Sequence, residues 1–208
     1  MSRRAFCGLL LPLVLALASC GHLPGRGRAV PACPGQLVPS ADLGAELLLR
    51  QRVRLEAGER RFVLRMITQV SGGELLLVGI DPLGAKLFTL RQRGSEVEVD
   101  ALPAPVLEVE PITLLREVHR MRFLTASAHG AEDRLVFVRQ GTEISERWQA
   151  GRLRERRLRR LDGDPQGVVT LRFETPGPGE EGLERVSIDN GWCGYRAEIV
   201  TLVEEQSR

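Results

Sequence analysis

The 208-residue chain carries 29 Lys and Arg against 27 Asp and Glu, a formal net charge of +2, and only 4% of its residues are aromatic. A near-neutral balance excludes the basic excess of a nucleic-acid binder, and so few rings exclude a base-stacking platform. The four cysteines form no Cys-x-x-Cys pair and the three histidines no His-x-x-x-His spacing, so neither a metal centre nor a cofactor is expected.

Arg3 and Arg4 precede an apolar run, Leu9 to Ala18, interrupted only by Pro12. A membrane span needs ~20 apolar residues, so this run reads as a cleaved signal over residues 1–19. Leu17-Ala18-Ser19-Cys20 resembles the lipobox of bacterial lipoproteins. The resemblance implies cleavage before Cys20 and acylation of that residue. Each buried CH₂ would contribute ~0.8 kcal/mol, and two or more chains anchor stably. In enterobacterial lipoproteins an Asp after the Cys favours inner-membrane retention. Gly21 there implies the periplasmic face of the outer membrane, reached through the lipid anchor. Cleavage takes Arg3 and Arg4 from the 29 basic residues and no acid, which leaves 27 of each sign. Cys7 leaves with the signal. Cys33 and Cys193 are expected to pair as a disulfide in an oxidising compartment, two free thiols being the alternative.

Residues 20–39 contain Gly21, Pro24, Gly25, Gly27, Pro31, Pro34, Gly35 and Pro39 and read as a flexible tether. The domain is expected over residues 40–208. Strands begin near Glu46. Arg60 to Ser71 alternates, with Phe62, Leu64, Met66 and Val70 on one face and Arg61, Arg65 and Gln69 on the other. Gly72-Gly73 is a turn. Glu74 to Ile80 is apolar on both faces, which predicts a central strand or one covered on both sides. Asp81-Pro82-Leu83-Gly84 is a tight loop before a strand over Lys86–Arg93. Glu96–Asp100 follows, with Val97 and Val99 facing inward. Pro111 suits a first helical position, and apolar spacing predicts a helix from Pro111 to Phe123. Further strands are expected at Arg134–Arg139, Glu143–Gln149, Arg152–Leu161, Val168–Glu174, Arg185–Asp189 and Arg196–Leu202. About ten strands and one or two helices make an α+β chain dominated by one curved antiparallel sheet.

The segment Leu75 to Leu90, an apolar strand, a loop ending Pro-Leu-Gly and an alternating strand, resembles the LolB-like lipoproteins. Within that group it resembles in particular a family of outer-membrane lipoproteins with a domain of unknown function. Leu37 to Leu43, the Leu114-Leu115-Arg116-Glu117-Val118 stretch and the ending Asn190 to Tyr195 extend the resemblance over most of residues 37–203. It implies a half-open antiparallel β-barrel, with one to three helices closing an apolar hollow. It also implies a function: binding the acyl chains of a lipoprotein or lipid-like cargo, received from a periplasmic LolA-like carrier, and assisting delivery to the outer membrane. A non-catalytic interaction protein of an envelope complex is the alternative.

The resemblance marks Leu83, flanked by Pro82 and Gly84, as an exposed contact for membrane or acyl chain. The competing reading folds Leu83 back onto the core. Phe62, Leu64, Met66, Leu76, Val78, Phe88, Leu90, Phe137, Val169, Leu171 and Phe173 are candidates for the hollow's lining, or for an ordinary dry core. Six arginines between Arg152 and Arg160 match phosphate geometry or form a solvated strand face. His119, Ser127, His129 and Asp133 are hydrolase ingredients, but no Gly-x-Ser-x-Gly elbow surrounds a serine, and no enzyme is expected.

Overall fold

The computed structural model describes residues 33–44, 46–102, 110–124 and 133–207. The expected signal peptide and Cys20 lie outside them. Eleven strands form one antiparallel sheet: β1 Glu46–Ala57, β2 Arg60–Ser71, β3 Glu74–Ile80, β4 Lys86–Arg93, β5 Glu96–Ala101, β6 Arg134–Arg139, β7 Thr142–Gln149, β8 Arg152–Arg160, β9 Val168–Glu174, β10 Glu184–Asn190 and β11 Tyr195–Ser207. Their order in the sheet is β5-β4-β3-β2-β1-β11-β10-β9-β8-β7-β6. Two meanders therefore meet where β1 pairs with β11, and β5 and β6 stand at opposite edges.

Turn chemistry makes the meanders. Gly72 and Gly73 both adopt positive φ, at 58° and 74°, the backbone of a tight turn whose twist matches a hairpin. Gln140-Gly141 and Ala150-Gly151 repeat this in the second meander. Between β5 and β6 lies α1, Pro111–Val118, which continues into a π-helical turn over His119–Phe123. Pro111 opens the helix without an orphaned N–H. Pro111, Thr113, Leu114, Leu115, Glu117 and Val118 are all buried, so the helix lies inside protein instead of on its surface.

The sheet curls around this helix. Gln92 on β4 bonds His119, while Arg156 on β8 bonds the carbonyls of Arg120 and Met121. β4 and β8 stand seven strands apart, roughly 34 Å in a flat sheet at ~4.8 Å per strand. Adjacent helical residues touch both, so the sheet bends. The inner face carries one core, from Leu64, Leu77 and Leu90 through Leu115 and Val118 to Ile144, Val169 and Ile188.

The expected closure by one to three helices is corrected. The sheet is open, and among the described residues there is one α-helix, buried as core inside the curl and not set as a lid over a hollow. The reason is one of chain length. Most strand connections are short turns, so the segment between β5 and β6 supplies the helix. Val99, expected to face inward, is 52% exposed because β5 is an edge strand. Residues 33–39, expected as the far end of a tether, pack against the core: Cys33 and Val38 are buried.

Candidate functional site

The inner face is filled and bonded. Of the residues expected to line a hollow, Leu64, Met66, Phe88, Leu90, Val169, Leu171 and Phe173 are buried there together, and Phe62 and Phe137 pack against them half-buried. Leu76 and Val78 are not with them. In the register Val70↔Leu75, Thr68↔Leu77 and Met66↔Gly79, the inward residues of β3 are Leu75, Leu77 and Gly79. Leu76 and Val78 occupy the opposite face, beside Ile67 and Gln69. A strand apolar on both faces does not reveal its phase, and one residue of register exchanges the faces. Gly79 makes room for the ring of Phe88, since a Cβ there would sit 2.2 Å from Phe88 Cε1.

Most polar groups buried around the helix are paired, Glu117 Oε2 and Arg116 Nε being without a hydrogen-bond partner among the described residues. Glu117 Oε1 accepts from the Tyr195 hydroxyl, from Asn190 Nδ2 at 3.0 Å and from Arg120. Arg120 also donates to Pro34 O and lies 5.1 Å from the Trp192 ring centroid. Burial, and then the Glu117 carboxylate, hold the Tyr195 phenol above its ordinary range. Arg156 pairs with Glu146 at 2.6 Å, both fully buried, and caps the π-helical carbonyls. Burial lowers the Arg156 pKa and Glu146 opposes that shift. Cys33 and Cys193 form a disulfide, with Cα atoms 5.9 Å apart, that ties the N-terminal segment to the β10–β11 turn. Beside Arg120, Ile144, Leu158 and Trp192 the interior leaves only about 20 Å³.

His119 is a structural group. Its Nδ1 accepts from Val38 N–H at 3.1 Å and its Nε2 meets Gln92 Oε1 at 2.9 Å. Those partners require the neutral tautomer with the proton on Nε2. Burial, helped by the charge of Arg139, lowers its pKa to about 4. Of the other hydrolase ingredients, Asp133 is exposed at the start of β6. Ser127 and His129 lie outside the described residues. The arginine-rich strand β8 divides: Arg156 is buried, Arg159 pairs with Glu143, Arg160 with Asp162, and Arg152 donates to Thr175.

An exposed apolar surface lies on the outer face. Leu83 is 94% exposed, with Pro82 and Gly84 exposed beside it. The turn is braced at its base: Asp81 N–H donates to Ala85 O at 2.9 Å, and Asp81 Oδ1 accepts from Ala85 N–H at 2.8 Å. Gly84 takes φ of 98°, a conformation that favours glycine. Beside this turn runs a groove of about 590 Å³ lined by Arg50, Arg65, Ile67, Ile80, Gly84, Leu202 and Val203. Half-buried Leu76 and Val78 continue its apolar surface on β3. A register shift between Arg50 and Gln51 sets Val203 opposite Arg50. Sequence reasoning missed Ile67, Ile80, Leu202 and Val203. The one signal for them was the two-sided apolarity of β3, whose second face is this wall.

The fold and site thus describe a sheet protein with a packed interior and an apolar outer groove. A family described as "Protein of unknown function (DUF3261)" matches residues 48–203, and the chain belongs to that family. No curated protein matches the chain. Among solved structures it is similar to a LolA superfamily protein from Nitrosomonas europaea, with a TM-score of 0.43 and 10% identity over 81% of this chain and 91% of that one.

Proposed function

We propose that the chain is a LolB-like, lipid-anchored protein on the periplasmic face of the outer membrane. It binds the acyl chains of a lipoprotein or lipid-like cargo and assists their delivery, without covalent chemistry. The observation that carries this reading is Leu83, almost fully exposed on a braced turn beside an apolar groove of about 590 Å³. An isolated exposed leucine is ordinary, but one rigidly presented next to an apolar wall is a contact for an acyl chain. Chains would pass from a periplasmic LolA-like carrier to this surface and on to the bilayer. Such steps need only small free-energy differences, because apolar burial is worth much the same in each compartment.

The test is binding of a fluorescent fatty acyl probe to residues 33–208. Wild type binds. Leu83→Glu, and separately Ile67→Glu in the groove, weaken binding about tenfold or more, since burying one such side chain is worth ~1.5–3 kcal/mol. Cys20→Ala in the full-length protein abolishes acyl labelling. Wild-type binding unchanged by both groove variants overturns the reading. A second reading, a non-catalytic interaction protein of an envelope biosynthesis or export complex, draws on the packed inner face. Absence of probe binding, together with a stable protein partner, favours it.

A further inference from the structure

The geometry points to an anionic acyl amphiphile, one carrying a phosphate next to its chains, as the groove's occupant, with Arg50 and Arg65 reading the phosphate. The inference rests on the acyl-binding reading above and adds the chemistry of the head group. Three observations carry it. First, the outer face pairs many of its arginines: Arg52 with Glu181 at 2.7 Å, Arg54 with Glu198 at 3.3 Å, Arg93 with Glu74 at 2.7 Å and Arg159 with Glu143 at 3.1 Å. Arg50 and Arg65 line the groove, are exposed, and make no ion pair among the described residues. Second, the register sets them together. Arg65 stands opposite Arg52 and Arg50 opposite Ile67, so the two sit diagonally on neighbouring strands of one face. Two forked guanidinium groups at that spacing suit the oxygens of one phosphate. Third, charge and apolar surface adjoin. Arg50 stands between Ile67 and Val203 across the sheet, and Arg65 between Arg52 and Ile80. Arg65 also donates to Pro82 O at 3.3 Å, which ties the charged end of the groove to the turn that presents Leu83. A bare phosphate leaves Ile67, Ile80, Leu202 and Val203 wet, and a neutral chain leaves both arginines without a counter-charge. An anionic amphiphile satisfies both halves.

The experiment uses residues 33–208 with two probes of identical fluorescent acyl chains, a phosphatidylglycerol and a diacylglycerol, which has the chains and no phosphate. Wild type is expected to prefer the anionic lipid about tenfold, in line with the greater strength of charge-assisted hydrogen bonds. In Arg50→Gln/Arg65→Gln the preference falls to about twofold or less, through weaker binding of phosphatidylglycerol, while the melting temperature stays as in wild type. Arg50→Lys/Arg65→Lys keeps part of the preference, because the charge remains and the fork is lost. Raising the salt concentration weakens the wild-type preference, a readout that needs no variant. Equal binding of the two lipids by wild type, or a preference untouched by salt and by the glutamines, overturns the inference and leaves the acyl-binding reading standing. Displacement of the lipid by millimolar inorganic phosphate alone also overturns it, since the chains would then contribute nothing. Binding of neither lipid overturns both readings.

Discussion

His119 ties stability to pH in a direction the structure determines. Its Nδ1 accepts from Val38 N–H, so a proton on that nitrogen would turn an acceptor into a second donor facing the first. Burial lowers the pKa from 6.5 to about 4 in the folded state, whereas the unfolded chain keeps the ordinary value. Between those values the unfolded chain binds more protons than the folded one, so stability rises with pH. The contribution is fully present above about pH 6.5 and is lost as pH falls towards 4. The whole shift corresponds to about 3 kcal/mol, of which about 2 kcal/mol disappears between pH 7 and pH 4.5. Urea unfolding of residues 33–208 and of His119→Gln at both pH values isolates the term, because carboxylates shared by the two proteins cancel in the difference. With ~2 kcal/mol per molar urea, the wild-type midpoint should drop about 1 M further than that of the variant. A difference between the proteins that stays constant from pH 7 to pH 4.5 would refute the reasoning. It would mean that burial does not hold His119 neutral in the folded chain.

Gly79→Ala places a Cβ 2.2 Å from the Phe88 ring, in a strand whose backbone is locked on both sides. Overpacking of this kind costs ~1–3 kcal/mol, seen as a melting temperature lowered by several degrees. An unchanged melting temperature would show that the ring does not pack over this glycine. Cys33→Ser opens a link between residues 160 apart in sequence. Loop-closure entropy sets the loss at up to ~5 kcal/mol, and reductant should destabilise wild type but leave the variant unchanged. Equal melting of reduced and oxidised wild type would show that the link contributes nothing.

The strands were legible because the chain punctuates itself. Period-two alternation in Arg60 to Ser71, bounded by Gly72-Gly73, can be only a half-buried strand and a turn, and β2 spans those residues. The same logic located β3, β4, β7 and β9 within a residue or so. The helix was legible from Pro111 and its apolar spacing, although its last turn is π-helical. Arg156 shows where local reading stops. Within an arginine-rich strand it has the sequence context of a solvated residue, yet it is fully buried against Glu146 and two helix carbonyls. Its partners come from β7 and from the helical segment more than thirty residues upstream, and no local pattern encodes that meeting.

What the sequence determined by itself is the secondary structure and its antiparallel meanders, because turn geometry and residue alternation act over neighbours. What only the tertiary structure decided is which face of each strand is interior, how far the sheet curls, and where free apolar surface remains. Leu76 and Val78 lie outside because β3 pairs with β2 in a register that turns Leu75 and Leu77 inward. The interior is packed because a buried helix and the segment from Cys33 to Ser40 occupy it, held by His119, Arg120 and a disulfide to Cys193. These contacts join residues 80 to 160 positions apart. They exist only once the sheet has curled, because burial of its inner face is a property of the assembled sheet and of no strand alone.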